Sequence, residues 1–204
     1  DPADVNTIFL DSEASRRYKA ELFRDGPLRT SSINSSIATW NIEGFTDAKL
    51  LQLGTYTLTL GIGIMCIQET HKTQSAYYVT EEGFLVILSG SDDSGISETA
   101  GVGFLIAPSW RRSVIGFCQA SARMASLKLR MRGGKIAVCS IYAPHSGKPF
   151  EERRDFFHQL NRFCNDYLLN FGFNINRLLQ FLLGYHDLNR FGYLLRTFGQ
   201  SLLI

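Results

Sequence analysis

Three side chains in this sequence have the types and positions that suit chemistry on a phosphate group. Asn41 closes the run IATWN, Glu69 follows the run IGIMCIQ, and Tyr142 closes the run KIAVCSIY. Each is a polar group at the carboxyl end of an apolar, β-branched stretch, and in α/β folds sites gather where strands stop. If the three strands are neighbours in one sheet, their polar ends converge. A carboxylate suits Mg2+, which takes one or two of them with waters and substrate phosphate oxygens. An amide can hold a water or a neighbouring carboxylate, and a phenol can donate to a phosphate oxygen. A cation beside a phosphodiester neutralises developing charge and activates water. Taken singly, each of the three is weak evidence, and Glu69 alone reads first as a solvated loop residue, as most charged groups are. Their common placement at strand ends is what points to phosphate handling.

The elements that must position these residues follow from periodicity. Residues 1 to 36 are polar and broken by Asp-Gly-Pro, and read as a poorly ordered leader with a short helix near Ala14 to Phe23. Strands are expected at Ile37 to Ile42, Ile62 to Gln68, Phe84 to Leu88, Val102 to Ala107 and Val114 to Cys118. A short helix over Asp47 to Leu53 is expected between the first two, with Asp47 as its N-cap. Ser89 to Gly101 is a loop by composition. Leu127 to Arg132 alternates strictly. Leu127, Leu129 and Met131 are expected to face the core, and Lys128, Arg130 and Arg132 to face outward. Arg-Gly-Gly-Lys at 132–135 is a hairpin turn, with Lys135 to Tyr142 as the return strand. After Pro149 the period changes. Phe156, Phe157, Leu160, Phe163, Cys164, Tyr167 and Leu168 make one apolar helix face of about five turns. Glu151 and Glu152 in its first turn complement the helix dipole.

Composition narrows the classes. With 204 residues, 45% of them apolar and 20% charged, the chain suits one globular domain. A net charge of +2 does not announce a nucleic-acid partner. The distribution is less neutral: between Pro108 and Arg154 the basic residues include Arg111, Arg123, Lys128, Arg130, Arg132 and Lys135, against only Glu151 and Glu152. Such an excess attracts phosphate or is simply a solvated face. The four cysteines, Cys66, Cys118, Cys139 and Cys164, sit in apolar runs without CxxC spacing, and read as core residues of a protein in a reducing, intracellular compartment. No apolar stretch reaches the roughly 18 residues of a membrane helix, so no membrane partner is expected. Neither a dinucleotide loop nor a phosphate-binding P-loop is present: GVGFLI lacks a following helix, and Ser146-Gly147-Lys148 lacks the leading glycine. His71 and His145 read as loop histidines, the first on Glu69's side if its strand continues.

The order TWN (39–41), IQETH (67–71), GVGFLIA (101–107), SARMASLKL (121–129), IYAPH (141–145), followed by a helix containing Phe-Phe, resembles the endonuclease/exonuclease/phosphatase family. More narrowly it resembles the endonuclease domains of non-LTR retrotransposons and craniofacial-development-protein-2-like sequences. The resemblance runs from Ile37 to Asn170 and more weakly to the end. It implies an α/β four-layer sandwich, two packed mixed sheets with helices outside, spanning 37–204. It also implies Mg2+- (or Mn2+-) dependent hydrolysis of a phosphodiester in DNA by a nuclear, monomeric protein. Carried over by position, Asn41 and Glu69 are the metal-site residues, Tyr142 contacts phosphate, and Asn174 stands for a further catalytic asparagine. Lys128, Arg130 and Arg132 would lie along the nucleic acid.

The departures carry equal weight. Where the family has Gly-Asp-Phe-Asn, this chain has Phe171-Gly172-Phe173-Asn174, with glycine in the place of the water-orienting aspartate. No Ser-Asp-His segment follows, and His186 and Asp187 lie in the wrong segment to replace it. Residues 171–204 are therefore expected to be divergent or truncated, and the sandwich incomplete at its C-terminal end. Three functions stay open: an impaired endonuclease, a non-catalytic remnant that binds nucleic acid, and a phosphatase or phosphodiesterase for small molecules or lipids.

Overall fold

Every residue of the strand Ile62–Gln68 is buried. A strand covered on both faces needs an apolar layer on each side, and a second sheet on one face with a helix on the other supplies both. The computed structural model, which describes residues 36–90, 100–131 and 134–165 and the backbone of 181–183, has that architecture. The leader, the 91–99 loop and the expected Ala14 to Phe23 helix lie outside the described residues.

The elements are β1 (Ser36–Asn41), α1 (Asp47–Thr59), β2 (Ile62–Gln68), β3 (Ala76–Val79), β4 (Leu85–Ser89) and β5 (Val102–Ile106). A 3₁₀ turn at Pro108–Ser113 leads to β6 (Val114–Ser121), β7 (Met124–Met131), β8 (Gly134–Ile141), α2 (Phe150–Phe163) and β9 (Phe181–Leu183). One sheet has the order β1-β2-β5-β4-β3, with β1 parallel to β2 and the other pairs antiparallel. The other has the order β6-β7-β8-β9, with β9 parallel to β8. The parallel β1–β2 pair requires a crossover, and α1 makes it.

Three apolar clusters give the layers. Between the sheets, Ile64, Cys66, Phe104 and Ile106 of the first meet Leu127, Leu129, Ala125 and Val138 of the second. On the first sheet's outer face, Met65, Ile67, Val86 and Leu105 pack with Phe84 and with Leu53 of α1. On the second sheet's outer face, Met124, Cys139 and Ile141 pack under Phe156, Leu160 and Phe163 of α2. The result is the four-layer α/β sandwich. The fully buried Leu127 and Leu129 each contribute roughly 1.5–3 kcal/mol through removal from water. Gly63 allows a close approach in this core: a Cβ there would lie 2.5 Å from the Trp110 ring.

Several boundaries differ from expectation. The first helix starts as placed but runs six residues beyond Leu53, and its N-cap is Thr46, whose hydroxyl accepts from the Lys49 N–H at 3.3 Å. Thr46 takes the capping role because Asp47 already lies within the first turn, where its charge suits the dipole. Strand β3, AYYV, was not expected. It is a four-residue edge strand exposed along its length, without the in–out alternation that marks a strand in sequence. Strands β6 and β7 each extend three residues further toward the turn that joins them, and the hairpin register pairs Met124 with Ile141 and Arg130 with Lys135. Pro149 is the N-cap of α2 rather than its first residue. Tyr167 and Leu168, expected on its apolar face, lie outside the described residues.

Candidate functional site at the strand ends

Asn41 is the last residue of β1, Glu69 follows β2, and Tyr142 follows β8. Their strands do not all belong to one sheet, so the convergence does not come from the one-sheet arrangement weighed above. β1 and β2 pair in the first sheet and β8 belongs to the second. The three ends still meet, because the sheets pack face to face with these ends on the same side. Glu69 Oε1 accepts from Asn41 Nδ2 at 2.7 Å and from the Tyr142 hydroxyl at 2.7 Å.

The amide orientation of Asn41 is set from its other end. Its Oδ1 accepts the Glu43 backbone N–H at 3.2 Å, so oxygen and nitrogen are not interchangeable. Asn41 thus holds the carboxylate, one of the two roles its type allows. Lys49 secures the turn beneath it, donating to the carbonyls of Ile42 and, at 2.7 Å, Glu43.

A polar chain lies one residue below the carboxylate, running from the exposed Thr39 to the buried Gln68 and Ser140. Thr39 Oγ1 donates to Gln68 Oε1 at 3.0 Å, Gln68 Nε2 donates to Ser140 Oγ at 3.2 Å, and Ser140 donates to the Ile67 carbonyl at 3.1 Å. Gln68 and Ser140 are fully buried. This chain ties β1, β2 and β8 together across both sheets and holds their ends in register. The sequence signal was present, since Gln68 and Ser140 are polar residues inside apolar runs.

The backbone around Glu69 is strained. Glu43, Glu69 and His71 adopt left-handed φ values of 47°, 54° and 53°, each costing of order 1–3 kcal/mol for a residue other than glycine. Four backbone bonds hold them there: Gly44 N to Glu69 O at 2.7 Å, Phe45 N to Thr70 O at 2.9 Å, Thr70 N to Gly101 O at 3.1 Å and His71 N to Ala100 O at 3.1 Å. The turn brings His71 Nε2 to 3.9 Å from Glu69 Oε2, the oxygen that makes no hydrogen bond within the described residues.

On the other side of the cluster the Arg123 guanidinium lies 5.0 Å from the centre of the Tyr142 ring. Its Nη2 is 3.6 Å from Glu152 of α2, which also faces Lys148 at 3.7 Å. Its Nη1 is buried without a hydrogen-bond partner among the described residues. Composition had counted Arg123 only within a basic region. Burial, then the hydrogen bond to Glu69 and its charge, push the Tyr142 phenol up to about 12, against the opposing pull of Arg123. The phenol is therefore a neutral donor at physiological pH.

The remaining site residues lie elsewhere. Lys128 and Arg130 do face away from the core, but they sit toward the turn end of the β7–β8 hairpin, where Arg130 pairs with Lys135. Met124 marks the end beside Tyr142, six residues or roughly 20 Å along the strand from Arg130 and four residues or roughly 13 Å from Lys128. Partial burial and then Lys135 hold the Lys128 ammonium below the ordinary lysine range. Arg132 and Asn174 lie outside the described residues, as does Gly172. His145 is exposed in its turn, as expected, with Nδ1 accepting the Gly147 N–H at 3.1 Å.

The donor set fits a divalent cation in part. Glu69 offers one carboxylate oxygen already oriented by two donors on the other, and Mg2+ is commonly held by one or two carboxylates with water and phosphate completing its shell. Among the described residues no group of three His, Cys, Asp or Glu side chains assembles around it.

Fold and site together define an α/β four-layer sandwich with a carboxylate, an amide and a phenol gathered where strands of both sheets end. The chain is similar to several solved structures. They include the Xenopus laevis APE2 catalytic domain (18% identity, TM-score 0.47, covering 66% of this chain and 54% of that one). The endonuclease domain of TRAS1, a telomere-specific non-LTR retrotransposon, is similar at 17% identity and TM-score 0.47, covering 82% and 70%. TDP2 from Caenorhabditis elegans is similar at 16% identity and TM-score 0.42, covering 80% and 50%. The chain thus spans about half the length of the APE2 and TDP2 structures. No family model and no curated protein matches it.

Proposed function

We propose that this chain is a Mg2+-dependent phosphodiesterase acting on DNA, an endonuclease of the retrotransposon type whose water-activating half is weakened. The observation that carries this reading is the geometry at Glu69: two donors hold Oε1 at 2.7 Å each, leaving Oε2 for a cation. Glu69 would hold the ion, with water and phosphate oxygens filling the other positions. A bound Mg2+ supplies charge neutralisation at the phosphate and a more acidic water. Asn41 keeps the carboxylate in place. Tyr142 keeps its proton and donates it in hydrogen bonds, to Glu69 now and to a phosphate oxygen when one arrives. Arg123, with a buried donor lacking a partner among the described residues, supplies positive charge beside Tyr142. Gly172, in the place of the family's aspartate, leaves the attacking water without its base, a loss of roughly 10²- to 10⁴-fold. Four free, buried cysteines suit a reducing compartment, here the nucleus, and the protein is taken as a monomer.

The test is nicking of supercoiled plasmid. Slow nicking is expected with Mg2+, none with EDTA, and a loss of at least about 100-fold in Glu69→Ala, as for removal of a principal charge-stabilising group. Nicking at the same rate in EDTA overturns the reading. Gly172 also favours a second reading, a remnant that binds nucleic acid without cleaving it. Salt-sensitive binding with no turnover, rescued only when Gly172→Asp is introduced, would establish that alternative. The same fold admits other phosphate substrates, so a soluble phosphomonoester belongs in the assay as a third arm.

A further inference from the structure

The strained turn after β2 does more than place Glu69. Left-handed φ values at positions 69 and 71 turn both side chains toward each other, and backbone bonds to Gly44, Phe45, Gly101 and Ala100 hold the turn in that shape. Gly44 leaves room for the imidazole: a Cβ there would lie 3.3 Å from His71 Nδ1. The outcome is a separation of 3.9 Å between His71 Nε2 and Glu69 Oε2, with Oε1 turned inward to Asn41 and Tyr142. Metal bonds to imidazole nitrogen and carboxylate oxygen are each roughly 2.0–2.2 Å long, so a single ion can touch both atoms. Strain of this kind, confined to one turn and held from several sides, is where functional constraints are found.

We propose that His71 is a second protein ligand of the divalent ion, and that the Glu69–His71 pair biases the site toward first-row transition ions, Mn2+ among them, over Mg2+. The inference rests on the metal-site reading of Glu69 given above. Its chemical ground is ligand type: Mg2+ takes oxygen donors and holds its waters, whereas imidazole nitrogen suits first-row transition ions. One oxygen and one nitrogen from the protein, with water and phosphate completing the shell, favour an ion that accepts both.

Free Mn2+ can be counted by its electron paramagnetic resonance signal in the presence of the full chain, alone and with Mg2+ competing. The wild type is expected to bind Mn2+ in preference to Mg2+. His71→Ala, at a side chain about one-third exposed, should fold normally, lose about tenfold in Mn2+ affinity and keep its Mg2+ affinity within about twofold. His71→Asp, which replaces nitrogen with oxygen, should turn the preference toward Mg2+. Glu69→Gln should abolish binding of both ions. If Glu69→Gln binds Mn2+ as the wild type does, the metal-site reading itself fails. If Glu69→Gln abolishes binding but His71→Ala weakens both ions equally or neither, His71 is not a ligand and the Glu69 reading stands without it.

Discussion

Glu69 Oε1 receives two donors, and one of them comes from a side chain with a perturbed pKa. Tyrosine ordinarily titrates near 10, and the Tyr142 phenol is pushed up to about 12 by burial and by the carboxylate it donates to. The folded protein favours the neutral phenol. The stability linked to that preference is whole below pH 10 and is lost as the pH climbs toward 12. The difference in thermal midpoint between the wild type and Tyr142→Phe should therefore be constant from pH 7 to 9 and shrink by pH 11. A difference that grows with pH would mean that the phenol is not held in its neutral form by Glu69. At this scale the sequence was informative about type and less so about role. Asn41, Glu69 and Tyr142 were legible as polar groups ending apolar runs. That Asn41 spends its oxygen on the Glu43 N–H, and that His71 turns back toward Glu69, depend on left-handed backbone angles that no residue type at 43, 69 or 71 announces.

Among the elements, the hydrogen-bonded chain Thr39–Gln68–Ser140 connects β1, β2 and β8 and so sets the relative position of the three site-bearing strands. Gln68→Ala would remove two side-chain hydrogen bonds, one to the exposed Thr39 and one to the buried Ser140, a cost of about 1–3 kcal/mol. Urea denaturation should show a lower midpoint with an unchanged slope; no shift would mean that water replaces the amide. The strands themselves were largely legible. β5 and, up to Gln68, β2 are apolar because both faces are covered, and Leu127 and Leu129 on β7 follow the alternation that places them in the core. β3 was missed because an exposed edge strand carries no burial pattern. The first helix runs past Leu53 through Gly54, a residue type that weakens helices. In the fold, Gly54 is instead a contact point, with a Cβ there lying 3.3 Å from the Phe84 ring.

For the whole molecule, the two sheets and two helices enclose all four cysteines. Burial holds their thiols above the ordinary range, Cys118 at about 11 and Cys164 at about 12, with Cys66 and Cys139 also raised. The thiolate is the reactive form. At pH 8 a disulfide reagent such as Ellman's should label none of the four in the native protein within minutes and all of them in urea. Rapid labelling of one native thiol would place it at the surface, against the described packing. No helix among the described residues is long and apolar enough to cross a membrane.

What the sequence determined by itself is local. Apolar runs, alternation and helical spacing depend on near neighbours, and they specified the buried strands of residues 37–142, the outward face of Lys128 and Arg130, and the candidates at the strand ends. What only the tertiary structure decided is relational. Sheet partnership placed β8 in the second sheet and put Arg130 at the far end of its hairpin from Tyr142. Face-to-face packing then brought Tyr142 to Glu69, and a strained turn chose which carboxylate oxygen is left facing His71. These relations arise from contacts between residues tens of positions apart, whose free energy appears only once the whole sandwich has closed over its shared core.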